Sequence, residues 1–128
     1  MPKRVAGATR PTILYRGSFY TVELALTLNG SCPAREFLNG LTAEKRAKIL
    51  ALIRRLADQG RINDREKFKK IEGTEFFEFK DFQTRMPCFF QPGGRLIITH
   101  GFIKKKDKIP ASELEKARSI RAEYNQRF

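Results

Sequence analysis

Alternation of apolar and polar residues predicts one firm strand near the start of the chain. Within Phe19–Thr27 the even-numbered positions are all apolar, whereas the odd-numbered positions include two threonines and a glutamate. Because side chains alternate across a strand, one face of this strand is expected to pack on a core. Ile13–Arg16 predicts a shorter strand before it, and Asn29–Ser31 predicts a turn after it.

A helical pattern follows, in two pieces. A preceding proline and a following glycine predict a short helix over Ala34–Asn39. Thr42 can cap a longer helix that ends near Gln59, where a glycine follows. Its apolar residues recur at three- and four-residue spacings, which predicts a helical hairpin with one apolar face; they are Ala43, Ala47, Ile49, Leu50, Ile53 and Leu56.

The second half of the chain predicts three strands and a helix. The strands are Glu75–Phe82, Thr84–Gln91 and Arg95–Phe102, and Pro92–Gly94 turns the last two into a hairpin. A proline inside the second of these strands, Pro87, removes a ladder donor, so we expect a bulge or an edge there.

The terminal helix is predicted to begin at Pro110, where Ser112 and Glu115 have capping-box spacing. Its apolar stripe comprises Leu114, Ala117, Ile120 and Tyr124. Strands and helices are segregated along the chain, which predicts an α+β fold: a small antiparallel sheet packed on a helical hairpin, with a C-terminal helix. Residues 61–70 are basic and weakly patterned and predict no regular element. Residues 1–11 are expected to form a flexible basic arm, and residues 12–128 a single domain.

Composition adds an electrostatic prediction. The formal net charge of the 128 residues is +12, which predicts attraction to polyanions. Nucleic acid is the favoured polyanion; solubility charge and an acidic protein partner are the alternatives. The sequence has no apolar run of membrane-spanning length and no visible secretory signal, so no membrane association and a cytoplasmic location are expected. Cys32 and Cys88 have no metal-ligand spacing and are expected to be small buried residues in a reducing compartment.

Candidate chemistry converges on one end of the predicted sheet. The tight turn between the first two of the three strands places Lys80 near Arg85, and the following hairpin returns His100, Lys104 and Lys105 to the same end. A cation cluster can stabilise negative charge that develops on phosphorus when an RNA 2′-hydroxyl attacks the adjacent phosphate. His100, or a lysine with a depressed pKa, can transfer the proton. This chemistry needs no metal and no cofactor, and none is expected.

Simpler interpretations stay open. His100 can be a structural residue, and the lysine run from Lys104 to Lys108 can be a solvated loop or a passive phosphate clamp. Arg85 can pair at the surface with Glu78 or Asp81, which is worth little. The phenylalanines of the second half are expected in the core, although one or two can serve as a base-stacking platform; they are Phe76, Phe77, Phe79, Phe82, Phe89 and Phe90.

Three segments carry a resemblance to a known family. Glu78–Lys80 is similar to a strand that reads Glu-Leu-Arg, Thr84–Phe90 to an aromatic-Arg strand that ends in aromatics, and His100–Pro110 to a closing signature of Phe, paired Lys and Pro before a helix. Glu36–Leu38 and Leu56–Gly60 add a weaker likeness in the helical hairpin. Together they resemble the RelE/HigB-like toxins of bacterial toxin–antitoxin pairs, in particular the phage-derived branch.

The resemblance implies a fold, an activity and a set of roles. It implies a small antiparallel sheet against a helical hairpin, and cleavage of mRNA, commonly on the ribosome, by 2′-hydroxyl attack. Lys80 and Arg85 then occupy the basic strand positions, Lys104 and Lys105 the basic loop, with His100 as an addition. Lys80 stands where the family usually has Arg, which loses bidentate phosphate recognition. Further RNA-binding residues are expected at Lys70, Arg95, Lys106 and Lys108.

The sequence therefore predicts a metal-independent, ribosome-dependent mRNA endonuclease that inhibits translation and is neutralised by a small helix-turn-helix antitoxin. A gyrase-inhibiting toxin of the same fold is one alternative. A passive nucleic-acid-binding module and a remnant that only binds its antitoxin are the others.

Overall fold

The computed structural model describes residues 12–105 and 108–127, which contain seven strands and three helices. The strands are β1 (Thr12–Arg16), β2 (Thr21–Leu24), β3 (Phe68–Lys70), β4 (Phe77–Asp81), β5 (Thr84–Gln91), β6 (Arg95–Ile98) and β7 (Phe102–Ile103). The helices are α1 (Pro33–Gly40), α2 (Ala43–Gln59) and α3 (Ala111–Arg127). The predicted arm, residues 1–11, and the predicted RNA contact Lys106 lie outside the described residues.

All seven strands form one sheet. The order is β1-β2-β6-β5-β4-β3, and β7 pairs with β5 along the same edge that pairs with β6. Every pair is antiparallel except β2 and β6, which run parallel. The α+β class is confirmed, but the sheet is mixed rather than purely antiparallel. A parallel pair needs a long crossover, and the chain between β2 and β6 supplies it with the helical hairpin and three strands.

Apolar side chains cover both faces of the sheet. The hairpin α1–α2 packs on one face, where Leu24, Met86 and Ile98 are fully buried. Helix α3 packs on the other face, where Ala117, Ile120 and Tyr124 of the predicted stripe are buried; their sheet partners include Ala25, Phe89 and Ile97. Because both faces are covered, strand β5 is buried over residues 84–89 and does not show a polar face to solvent.

One arginine closes the turn between α1 and α2. Arg46 Nε donates to Leu38 O at 2.8 Å, and its Nη2 donates to Leu41 O at 2.8 Å and Asn39 O at 3.3 Å. These carbonyls end α1, where the last turn has no intrahelical donors. The Thr42 hydroxyl accepts from the Lys45 backbone N–H at 3.3 Å, so the predicted cap of α2 is confirmed.

Two details differ from the sequence-based prediction. Strand β3 occupies part of the segment predicted to be irregular; it holds one buried apolar residue, Phe68, and forms because β4 offers a ladder. Helix α3 begins at Ala111, so Ser112 lies inside its first turn and is not the N-cap. The Glu113 and Leu114 N–H groups instead donate to Pro110 O.

Pro87 lies where β5 changes its partner. On one side β5 pairs with β4 in an unbroken register that includes Glu78 opposite Pro87. On the other side Arg85 pairs with β7 and Cys88 with β6, and Pro87 falls between the two. Its carbonyl accepts from Thr99 N at 3.0 Å, so its missing N–H faces the same gap, where no ladder donor is needed.

Helix α3 is tied to the sheet by two polar links. Tyr124 donates to Glu23 Oε1 at 2.5 Å, and Glu23 also binds Arg95. Near the other end of the helix, Glu113 Oε1 lies 3.0 Å from His100 Nε2. The His100 side chain is 1% exposed and its Nδ1 lies 2.9 Å from Thr99 Oγ1.

A close approach at Gly17 supports a stability prediction. A Cβ built on Gly17 would lie 2.4 Å from the Ala57 carbonyl oxygen, which accepts from the Phe19 and Tyr20 N–H groups. Gly17→Ala is expected to lower the free energy of unfolding by about 1–3 kcal/mol, measured by urea denaturation. The control is Gly40→Ala at the end of α1, where a Cβ meets nothing within 4 Å. Equal stability of the two variants would contradict the contact.

The buried imidazole supports a pH prediction. Burial lowers the pKa of His100 below its ordinary value of 6.5, and the charge of Lys116 lowers it further, while the hydrogen bond that His100 makes to Glu113 acts in the opposite direction. The unfolded chain therefore binds a proton first as the pH falls. The free energy of unfolding should decrease below about pH 6.5, by at most about 1.4 kcal/mol per pH unit for one proton. His100→Gln should lack this component, and an identical pH profile of both proteins would refute the assignment.

Candidate functional site

A charged groove lies where α3 leaves the sheet uncovered. It encloses about 370 Å³ between β3, β4 and the segment that leads into α3. Its charged walls are Lys69, Glu78, Lys104 and Lys108, with one further acid, Glu72. The apolar part of its lining comes from Ile71, Ile109 and Leu114. Lysines from β3 and from both sides of the closing loop thus face a carboxylate of β4.

The predicted pair Lys80 and Arg85 lies at the end of the same face. The two residues are opposite each other in the β4–β5 ladder, next to the position that holds Glu78. Lys80 Nζ lies 3.4 Å from Arg65 O and 3.9 Å from a Glu66 carboxylate oxygen. Burial lowers the pKa of Lys80 below its usual value, and the nearby charges of Lys69 and Arg85 lower it further. Lys80 is therefore a better proton donor than a free lysine.

The Arg85 guanidinium is largely enclosed. Its Nη1 donates to the carbonyl of Phe82, in the turn that precedes β5, and to that of Thr84, the first residue of β5. Its Nε lies 3.8 Å from Glu78 Oε1, and neither atom has a hydrogen-bond partner among the described residues. Glu78 is 3% exposed, so this is a buried pair and not the weak surface pair that the sequence left open.

Strand β7 and the residues that follow it bring Lys104 and Lys105 to this end. Phe102 of β7 is opposite Arg85, and the Lys104 N–H donates to Gln83 O at 2.7 Å. Lys104 is therefore a diagonal neighbour of Arg85 on the same face, at about 7–8 Å between Cα atoms. Lys105 is exposed and lines an adjoining surface with Lys108.

The structure separates His100 from the exposed cations. The imidazole is buried beneath the start of α3, stacks on the Phe102 ring at 5.8 Å and has a partner at each nitrogen. A proton-transfer group must reach its substrate, and this ring does not face solvent. The geometry thus favours the structural alternative for His100.

Two predicted RNA contacts also lie apart from the groove. Arg95 is at the far end of the β5–β6 hairpin, about 20 Å along the strand from Arg85. Its Nε donates to Glu23 Oε2 at 2.8 Å, and its Nη2 contacts Tyr124, so its charge is already compensated. Lys70 is opposite Phe77 in the β3–β4 ladder and so lies on the hairpin face of the sheet.

Sequence reasoning missed Lys69 and Glu78 as groove residues. Lys69 is opposite Glu78 in the ladder, which places both on the face that α3 leaves open. The sequence signal for Lys69 is the triplet Phe68-Lys69-Lys70. Three residues are too few to predict a strand by themselves, and this segment forms one because β4 pairs with it. The phenylalanines that flank Glu78 in sequence obscure its position, because their side chains point to the opposite face of the sheet.

Other classes of site find less support. Residues 12–105 and 108–127 contain no group of three or more His, Cys, Asp and Glu side chains placed to hold a metal. No helix in this part of the chain is both long and apolar enough to cross a membrane. Cys88 is buried and Cys32 partly buried, and both are free thiols.

Comparisons with known proteins place the chain in a family. It is similar, at 15% identity and a TM-score of 0.46, to a chain of the RelB–RelE antitoxin–toxin complex from Methanococcus jannaschii; the match covers 55% of this chain and 82% of that one. No curated protein matches it in sequence. The profile of the family described as phage derived protein Gp49-like (DUF891) matches residues 36–122, a span that includes every groove residue named above. The chain therefore belongs to the Gp49-like family of phage-derived proteins, in agreement with the phage-derived, RelE/HigB-like resemblance of its sequence.

Proposed function

We propose that this protein is the toxin of a toxin–antitoxin pair and acts as a metal-independent endoribonuclease on mRNA. The observation that carries the proposal is a cation cluster: Lys69, Lys104 and Lys108 line one open groove of the sheet, and Lys80 and Arg85 lie beside it on the same face. The net charge of +12 supports a polyanionic substrate. In this proposal the message is cut while bound to the ribosome and a small antitoxin neutralises the protein, as the family resemblance implies.

The groove has the parts that RNA cleavage needs. In the proposed reaction the 2′-oxygen forms a bond to phosphorus and the bond from phosphorus to the 5′-oxygen breaks, which yields a 2′,3′-cyclic phosphate and a free 5′-hydroxyl. Arg85 and Lys104 neutralise the charge that builds on the phosphate oxygens. No described residue accepts a hydrogen bond from Arg85 Nη2, so this nitrogen is available to a phosphate.

Two side chains are proposed to move protons. Lys80, with its lowered pKa, donates to the departing 5′-oxygen. Glu78 is the carboxylate of β4 that lines the groove, and it is proposed to accept the 2′-hydroxyl proton through the oxygen that does not face Arg85, because its Oε1 is buried beside Arg85 Nε. Lys69, Lys105 and Lys108 hold flanking phosphates.

Expression in bacteria tests the activity. Wild type should arrest growth and shorten messages, whereas Lys104→Ala and Lys80→Ala should relieve both effects, with a fall in cleavage rate of about a hundredfold or more. Arg55→Ala is the matched control because it removes one positive charge from an exposed position of α2. Arg85→Lys keeps a positive charge beside Glu78 and should also lose activity, because one ammonium group cannot make the paired N–H contacts that a guanidinium makes to a phosphate.

The same experiment separates the alternatives. Intact messages with an induced DNA-damage response would indicate gyrase inhibition. Purified protein that binds RNA with steep salt dependence but yields no cyclic phosphate ends would indicate a passive binding module. Cleavage with and without ribosomes, both in magnesium buffer because EDTA dissociates ribosomes, checks the ribosome part of the proposal. Single-turnover cleavage of free RNA at an unchanged rate in EDTA checks the metal part.

Lys69 gives a pH test of the proton donor. Its charge lowers the pKa of Lys80, so Lys69→Met should raise that pKa. If protonated Lys80 is the acid, the cleavage rate falls as the pH rises through its pKa. The alkaline limb of the pH–rate profile should therefore lie at higher pH for Lys69→Met than for wild type. Single-turnover cleavage rates from neutral to alkaline pH measure the shift. An unmoved limb in Lys69→Met would count against Lys80 as the acid.

A further inference from the structure

Phe82 stands out at the turn between β4 and β5. Its side chain is 83% exposed, whereas the phenylalanines on either side of it in β4 and β5 are buried or half-buried. Among the described residues it is the one non-glycine residue with a positive φ, at 52°. A bulky residue rarely adopts this left-handed conformation, which persists only where the surroundings impose it. Neither burial nor backbone preference accounts for a phenylalanine here.

Arg85 connects this turn to the groove. Its Nη1 donates to the Phe82 carbonyl, while its Nε faces Glu78. The carbonyl of Gln83, the residue after Phe82, accepts from the Lys104 N–H. Arg85, through its side chain, and Lys104, through its backbone N–H, are thus both hydrogen-bonded to the turn that contains Phe82.

A notch lies beside the Phe82 ring on the hairpin face of the sheet. It encloses about 210 Å³ between the turn, Ile103 of β7 and the start of α2, where it is lined by Lys45 and Lys48. Lys48 Nζ lies 5.8 Å from the centre of the Phe82 ring. The groove and the notch are on opposite faces of the sheet, and the hydrogen bond from the Lys104 N–H to Gln83 O joins a groove residue to a notch residue.

The acids at the notch are compensated. Glu44 pairs with Lys48 at 3.5 Å, and Asp81, which is 6% exposed, pairs with Lys67 at 3.6 Å. The exposed Phe82 ring therefore lies between the lysines that line the notch and the cations of the groove. An exposed ring next to phosphate-binding cations is the arrangement by which proteins bind unstacked bases of single-stranded nucleic acid.

We infer that Phe82 stacks on a base of the single-stranded RNA whose scissile phosphate lies in the groove, and that this base lies over the notch. The inference rests on the proposed function and adds to it a positioning residue and a single-stranded substrate. Stacking on Phe82 holds the RNA strand across the turn, so that one nucleotide lies on each side of Arg85. The left-handed backbone of Phe82 is what directs the ring outward at this point.

RNA affinity tests the inference without relying on cleavage. The probe is a fluorescent 2′-O-methyl RNA oligonucleotide, which cannot undergo 2′-attack, and binding is followed by anisotropy. Phe82→Leu should weaken binding by roughly tenfold or more, while Phe82→Tyr should retain it, because only an aromatic face stacks on a base. Phe19→Leu is the matched control, since Phe19 is 62% exposed at the opposite end of the sheet.

A second arm identifies the stacked base. Oligonucleotides with a single abasic position are compared for wild type and Phe82→Leu. One abasic position should weaken wild-type binding and leave Phe82→Leu unaffected, as expected for two groups that contact each other. The salt dependence of binding should be the same for both proteins, because no charge is removed.

Phe82→Gly distinguishes a functional from a structural role. Glycine adopts a positive φ at no steric cost, so this variant should unfold at a higher temperature than wild type while it loses RNA affinity. Equal affinity of wild type and Phe82→Leu, with cleavage intact, would overturn the stacking inference and leave the proposed function standing. Absence of salt-dependent RNA binding by wild type would overturn both.

Discussion

The backbone ladder of β5 is the constraint on which the rest of the structure depends. This strand pairs with β4 along one side, and with β7 and then β6 along the other. Its start therefore holds β4, β5 and β7 at one end of the sheet, where Lys80, Arg85 and Lys104 occupy adjacent positions. Pro87 marks the change of partner at a point where its missing N–H costs no hydrogen bond.

Unequal cover of the two sheet faces leaves the charged groove open beside this ladder. The hairpin α1–α2 closes one face with apolar side chains, whereas α3 covers only part of the other. The uncovered part contains charged side chains that no apolar helix could bury without a large desolvation cost. The buried pair of Glu78 and Arg85 lies at this boundary, where Glu78 Oε1 and Arg85 Nε have no hydrogen-bond partner among the described residues.

Much of this arrangement follows from local patterns in the chain. The alternation in β2 and the helical periodicity of α2 are short-range signals, and the turn before Thr84 forces Lys80 and Arg85 together whatever surrounds them. Other residues depend on neighbours distant in sequence. Strand β3 has too little pattern to be recognised alone, so Lys69 was missed, and Arg95 was predicted to bind RNA because its charge is visible in the sequence but its partner Glu23, 72 residues away, is not.

The sequence by itself determined the α+β class, the helical hairpin, the order of the strands from β4 to β6 and the family, because each depends on periodicity, turn residues or contiguous motifs. Only the tertiary structure decided which charges face a common groove, that His100 is enclosed against Glu113, and that Phe82 points outward from a left-handed turn. The physical reason is that the environment of a charged or aromatic side chain is set by contacts across the sheet, and alternation along one strand does not specify which element covers each face.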